Sequence, residues 1–140
     1  MNIVVIDGQG GSIGASLVEK IKNRDKSVKV CGLGVNYFAS KAMKKAGADI
    51  TATGENAIKV NAKDADFILG TTGIIITNSL QGEISPKIAK ALAKSNASKI
   101  LIPFDCSNTI IIGSSDKSLE ENIDRAVDKL FEQMENKKAL

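Results

Sequence analysis

Ile3-Val4-Val5-Ile6-Asp7-Gly8-Gln9-Gly10-Gly11-Ser12-Ile13-Gly14 places an apolar run directly before a glycine cluster that opens a helical pattern. The order of strand, glycine turn and helix predicts a nucleotide-binding loop. The strand delivers the backbone to a tight turn, glycines leave room for a phosphate to approach the main chain, and the first N–H groups of the helix point at the anion. The spacing is a variant one. Gly8, Gly11 and Gly14 fit G-x-x-G-x-x-G, whereas the dinucleotide fingerprint G-x-G-x-x-G finds no match, because counted from Gly8 its last glycine falls on Ile13. Gly8, Gln9, Gly10, Gly11, Ser12, Ile13 and Gly14 are the candidate cofactor-binding residues of this loop. The bland alternative is a strand-to-helix turn that binds nothing.

Outward from this loop, strand and helix patterns alternate. Ser12 to Lys22 carries Ile13, Leu17 and Ile21 at helical spacing, and Ser27 to Leu33 is a second apolar strand. Asn36 caps a second helix that Gly47 ends, followed by a short strand over Ala48 to Thr53. Glu55 to Asn61 reads as a short helix and Asp66 to Gly70 as a fourth strand. Gly73 to Thr77 is apolar and β-branched, and its pattern fits strand, loop and helix start equally. Ser85-Pro86 predicts a helix to about Lys94, because serine caps it and proline suits its first turn. Lys99 to Phe104 is the fifth strand, and Thr109 to Ile112 is expected as a sixth, an antiparallel edge joined by a short hairpin. A capping box at Ser118-Leu119-Glu120-Glu121 opens the last helix, whose apolar face is Leu119, Ile123, Ala126, Val127, Leu130, Phe131 and Met134. Asn136 to Leu140 reads as a frayed tail.

This alternation predicts an α/β, Rossmann-like three-layer fold: a mostly parallel sheet of five or six strands with helices on both faces. Residues 1 to 135 form one expected domain. In such sheets the ligand crevice lies outside the carboxyl ends of the strands, beside the switch point between the first strand and the fourth. That rule adds Asn36, Thr71, Thr72 and Gly73 to the cofactor-binding candidates, and Asp7 and Glu55 to the catalytic ones. Asp7 serves to bind a ribose hydroxyl, a metal, or the amide groups of its own loop. Glu55 is a general base or a hydroxyl ligand, and the threonines contact phosphate or ribose; helix capping explains the same residues equally well. The acidic residue expected about 20 positions beyond the glycine loop, which holds the ribose of NAD, is absent near Gly34. Asn36 offers a weaker bond there, and Lys41, Lys44 and Lys45 approach a 2′-phosphate or are merely solvated. Tyr37 and Lys41 form a Y-x-x-x-K pair, but at the start of the second helix they lie on the adenosine side, so the pair is read as coincidence.

Composition excludes several chemistries. The 140 residues are 43% apolar and carry 19 basic and 16 acidic side chains, for a net charge of +3, with the bases spread along helix faces rather than blocked together. Nucleic acid is therefore not an expected partner. There is no histidine, and the two cysteines, Cys31 and Cys106, form no C-x-x-C pair. Imidazole acid–base catalysis is excluded, and no metal is expected. No apolar stretch approaches the roughly 20 residues of a membrane span, and no leader pattern opens the chain, which together lead to an expected cytoplasmic location.

The chain resembles, over nearly its full length, a family of short bacterial proteins of unknown function. The residues that carry the resemblance are Ile6-Asp7-Gly8-Gln9-Gly10-Gly11, Ala52-Thr53-Gly54-Glu55-Asn56-Ala57 and Ile100-Leu101-Ile102-Pro103. The resemblance implies a Rossmann-like, NAD(P)-binding domain. Size refines the functional expectation: a dinucleotide domain consumes nearly the whole chain, and no nucleophile–base pair is evident. The expected function is a small protein binding NAD, NADP or another adenine nucleotide, acting as a sensor or accessory subunit. One alternative is a small oxidoreductase or sugar-phosphate enzyme whose site, with Asp7, Glu55 and Thr72, is completed across a homodimer. The other is an interaction module. Phe38, Phe131 or the expected edge strand would supply the dimer contact.

Overall fold

Five short apolar segments pair into one all-parallel sheet. The computed structural model describes Met1 to Leu140. In chain order it contains β1 (Ile3–Asp7), α1 (Ser12–Arg24), β2 (Val30–Gly34), α2 (Tyr37–Lys45), β3 (Ile50–Thr53), α3 (Glu55–Lys63) and β4 (Phe67–Thr71). A single 3-10 turn (Thr72–Ile75), α4 (Pro86–Lys94), β5 (Ser98–Ile102) and α5 (Leu119–Lys138) follow. The strand order is β3-β2-β1-β4-β5, so β1 lies at the centre. It pairs from Ile3 opposite Val30 on one side and from Ile3 opposite Phe67 on the other. β5 pairs along β4 from Ser98 opposite Phe67 to Ile102 opposite Thr71.

The central strand is buried on both faces, which is why it reads as an unbroken apolar run. Ile3 and Val5 enter one core cluster with Leu17, Val18 and Ile21 of α1 and Ile123, Val127 and Leu130 of α5. Val4 and Ile6 point the other way, into a second cluster with Ile58 of α3 and Ile88 and Leu92 of α4. Period-two alternation thus divides one strand between two cores. The helix starts follow the local chemistry. Asn36 accepts from the Ala39 N–H at 2.9 Å, Ser85 accepts from Ile88 at 3.2 Å, and Ser118 and Glu121 form the reciprocal capping box.

Two expectations, for the sixth strand and the last helix, are corrected, and one open stretch is decided. There is no sixth strand: Cys106 and Thr109 make one isolated antiparallel bridge around Ser107 and Asn108, both at positive φ. Beyond it, the Asp105 carboxylate takes the Ile111 N–H at 2.8 Å, a donor that a strand would have given to its neighbour. Ile110 and Ile112 are left 76% and 94% exposed, so the β-branched run finds no surface to bury against. The last helix continues through Lys138, covering Asn136 to Lys138 where an open end was expected, and Leu119 is exposed rather than on its buried face. The ambiguous stretch after β4 is a 3-10 turn followed by tight turns, with Ile74 and Ile84 buried and the chain between them arched over the sheet's carboxyl edge.

Candidate functional site

β1 and β4 are neighbours, and the chain leaves β1 toward β2 but enters β4 from β3, so the connections diverge between them. This is the switch point of an open parallel sheet, where a crevice opens. A cleft of about 530 Å³ stands there, between the Asp7–Gln9 loop, Thr71 and Gly73 after β4, and Asp105–Ser107 after β5.

The glycine loop fills many of its own donors. Asp7 Oδ1 accepts from the Gly8 N–H at 2.8 Å, and Oδ2 accepts from the Gly14 N–H at 2.6 Å. Gly14 is the third residue of α1, so Asp7 caps that helix from the end of β1 in place of a side chain at Gly11. Burial pushes the Asp7 carboxyl above the usual value of 3.8, the two N–H bonds oppose this, and the charge of Glu83 adds to it. Glu83 Oε1 accepts from the Gln9 N–H at 2.8 Å, while its Oε2 accepts from Asn36 Nδ2 at 2.6 Å. Two internal carboxylates therefore stand at the loop where an anion was expected. The N–H groups of Gly10, Ser12 and Ile13 have no partner within the chain.

The loop glycines differ in what requires them. A Cβ at Gly8 would meet Glu83 Oε1 at 2.7 Å, Val35 Cγ2 at 2.8 Å and Leu80 Cδ1 at 2.9 Å. One at Gly14 would meet the Asp7 side chain at 2.8 Å and Met43 Sδ at 2.9 Å. Gly11 has φ +77° and its missing Cβ faces the Ala39 backbone at 2.7 Å. Gly10 has an ordinary backbone and open space beside it, so the fold itself does not demand glycine there.

Of the residues singled out in the sequence, Asp7, Gly8, Gln9, Ile13, Thr71 and Gly73 line the crevice. Gly10 lies on a shallow hollow outside it, beside Phe38 and Lys41. Asn36 caps α2 and holds Glu83. Thr72 clamps the two loop ends, its Oγ1 donating to the Phe104 carbonyl at 2.7 Å and accepting from the Phe104 N–H at 3.0 Å. Glu55 accepts from Ser85 Oγ at 2.5 Å, which ties the start of α3 to the cap of α4 and takes Glu55 out of the crevice. Tyr37 and Lys41 stack on each other at the surface, with Lys41 Nζ 6.0 Å from the ring centre. No group of three His, Cys, Asp or Glu side chains comes together to hold a metal. No helix is long and apolar enough to cross a membrane.

Sequence reasoning missed Leu80, Gln81, Asp105 and Ser107, which line the crevice together with Asn78, and Glu83, which closes the edge beside it. A left-handed backbone marks Asn78, Leu80, Gln81 and Ser107 among them. Gln9, Asn78, Leu80, Gln81, Ser107 and Asn108 are the non-glycine residues with positive φ, and all but Asn108 line the crevice. Such conformations cost about 1–3 kcal/mol each and gather where function holds them.

The arrangement has relatives in fold. The crystal structure of a dodecameric FMN-dependent UbiX-like decarboxylase from Escherichia coli O157:H7 superposes with a TM-score of 0.53, over 96% of this chain and 94% of that one, at 11% identity. That degree of likeness establishes a shared α/β architecture. A comparison with curated proteins gave no match. The model of the domain of unknown function DUF3842 matches residues 2–135, and the chain belongs to that family.

Proposed function

We propose that the chain binds a mononucleotide, with its phosphate at the first turn of α1 and its ring system in the crevice beside β4. The observation that carries this is the asymmetry of the carboxyl edge: an open polar cleft of about 530 Å³ on the β4 side, and a closed β2 side where Glu83 bridges Gln9 and Asn36. The cleft lies within the range of about 300–1,000 Å³ usual for small-molecule sites. Gly10, Ser12 and Ile13 supply the N–H donors that Asp7 and Glu83 leave free. Thr71, Asn78 and Ser107 supply hydroxyl and amide groups toward the ring or sugar. An extended dinucleotide such as NAD or NADP runs its adenosine across the end of β2. Here it meets Glu83 and Val35, so this reading narrows the expected NAD(P) site to a mononucleotide, either adenine-bearing or of the FMN class on which the structural neighbour depends.

Both carboxylates considered for catalysis are engaged in structural hydrogen bonds, Asp7 with the loop amides and Glu55 with Ser85. This supports a sensor or accessory subunit. One observation favours a site completed by a second copy: Phe104, Ile110 and Ile112 are exposed in the same loop that supplies Asp105 and Ser107 to the crevice. The Phe131 ring is less available for such contact, since it packs against the core under Arg24.

The test is calorimetric titration with FMN, AMP, ATP, NAD and NADP, in the wild type and in Gly10→Val. Micromolar binding of a mononucleotide, weaker dinucleotide binding, and loss of affinity in Gly10→Val at unchanged melting temperature are expected. Tighter binding of NAD or NADP than of every mononucleotide overturns the narrowing, and no binding at all overturns the proposal.

A further inference from the structure

Folding gathers five lysines that the sequence keeps apart. Lys59 and Lys63 of α3 and Lys87, Lys90 and Lys94 of α4 line one groove of about 640 Å³, in which Ala91 is the one apolar residue. The two helices lie side by side on one face of the sheet, joined where Ser95 Oγ donates to the Ala62 carbonyl at 2.6 Å. All five lysines are exposed, and none belongs to an ion pair. No acidic side chain lines the groove. Lys87, Lys90 and Lys94 share one helix face and span about 10 Å along its axis; Lys59 and Lys63 span about 6 Å on the facing helix.

Helix stability accounts for part of this cluster. Lys63 and Lys94 stand in last turns, where the helix dipole favours a cation. Lys87 stands in the first turn of α4, the end at which the dipole disfavours a cation, and no acidic residue shares that turn. Its charge, and those of Lys59 and Lys90 in mid-helix, are matched by no acid of the chain and are open to an anion from outside it.

We propose that the α3/α4 groove binds the sugar-phosphate backbone of a single nucleic-acid strand, without reading its bases. Lysine ammoniums are point charges suited to successive phosphates, and they carry no base code. The groove has no aromatic platform, so bases are not stacked on it. A protein partner would call for aromatic or arginine anchors at the centre of its interface, where lysine is depleted. A bilayer surface is flat, whereas these charges line a concavity between helices. The groove is independent of the crevice, which lies at the carboxyl edge of the sheet.

The test is fluorescence anisotropy of the full chain with labelled mixed-sequence 20-nucleotide DNA and RNA strands between 50 and 200 mM salt. With five phosphate contacts, log affinity against log salt has a slope of about −3.5, a loss of about a hundredfold across that range. The Lys87→Gln/Lys90→Gln/Lys94→Gln variant, with an unchanged circular dichroism spectrum, is expected to show a slope of about −1.4, and the three arginine replacements to retain the wild-type slope. Lys59→Gln/Lys63→Gln gives an intermediate slope, and Lys41→Gln/Lys45→Gln, on α2, leaves it unchanged. Absence of binding at 50 mM salt overturns the proposal, as does an unchanged slope in the triple variant or an equal loss in the α2 variant. Tighter binding to polyglutamate or to anionic vesicles than to the strands also overturns it.

Discussion

Asp7 ends the strand from which two unlike regions open. On the β2 side, Glu83 lies against Gly8 and joins Gln9 to Asn36, so the carboxyl edge is closed by a side chain. On the β4 side, the same edge opens into the crevice. Both regions begin at the same glycine loop. What separates them is the segment from Ile76 to Ser85, which arches back over the loop and delivers Glu83 to one side only. The loop thus provides donors, but the later connection decides how much ligand can reach them.

The largest expected effect separates the structural glycines from the free one. Gly11→Val puts a β-branched side chain at φ +77° and its Cβ within 2.7 Å of the Ala39 backbone, where nothing flexible can yield. It is expected to destabilise the fold by about 3 kcal/mol, lowering the melting temperature by roughly 10 °C. A Cβ at Gly10 meets nothing within 4 Å, and Gly10→Val is expected to leave that temperature unchanged. Equal melting temperatures for the two variants, read by scanning calorimetry, would break the distinction on which the binding test depends.

A smaller effect sharpens the contrast between the closed and open sides. Glu83→Ala removes the acceptor of the Gln9 N–H and of the Asn36 amide, and it leaves a gap over Gly8. A stability loss of about 1 kcal/mol follows from the two bonds, together with faster amide exchange at Gln9. NAD affinity is expected to rise about tenfold, with mononucleotide affinity nearly constant. Should NAD binding stay as it was, the Glu83 bridge is not what closes the dinucleotide path.

The fold was legible because its signals are local. Ile3 to Ile6 declared a doubly buried strand, Asn36, Ser85 and Ser118 declared helix starts, and each does what its side chain dictates. Thr109 to Ile112 misled because β-branched residues favour a strand only where a partner and a surface exist, and here Asp105 diverts the chain first. The crevice was half legible. The switch-point rule found Asp7, Gln9, Thr71 and Gly73 from their place at strand ends, while Glu83 and Gln81 lie in a run of turns whose path depends on contacts more than 70 residues away, such as Glu83 with Gln9. Glu55 stayed open between a base and a structural carboxylate for a related reason: a carboxylate at a strand end looks available until Ser85, the cap of α4, is seen beside it. The lysine groove was illegible, since Lys59 and Lys94 become neighbours only once α3 and α4 pack.

The smallest effect concerns the residue common to both regions. The Asp7 carboxyl titrates above 3.8 in the folded chain, chiefly because burial disfavours its charge, against the pull of the Gly14 and Gly8 donors and with the charge of Glu83 adding to the shift. The fold therefore holds the proton more tightly than the unfolded chain does. The stability this confers is complete below 3.8 and is lost as pH rises through the folded value. Asp7→Asn has no such proton, so the wild type is expected to lose ground against the variant as pH climbs from 3.8, with a constant difference above that window. Thermal unfolding of both proteins between pH 3.5 and 7 measures it, and a wild type that gains on the variant over the same range would reverse the assignment. Repeating the comparison with Glu83→Ala in both proteins links the two regions: without the neighbouring charge the window must narrow toward 3.8, since one of the two influences raising the Asp7 value is gone.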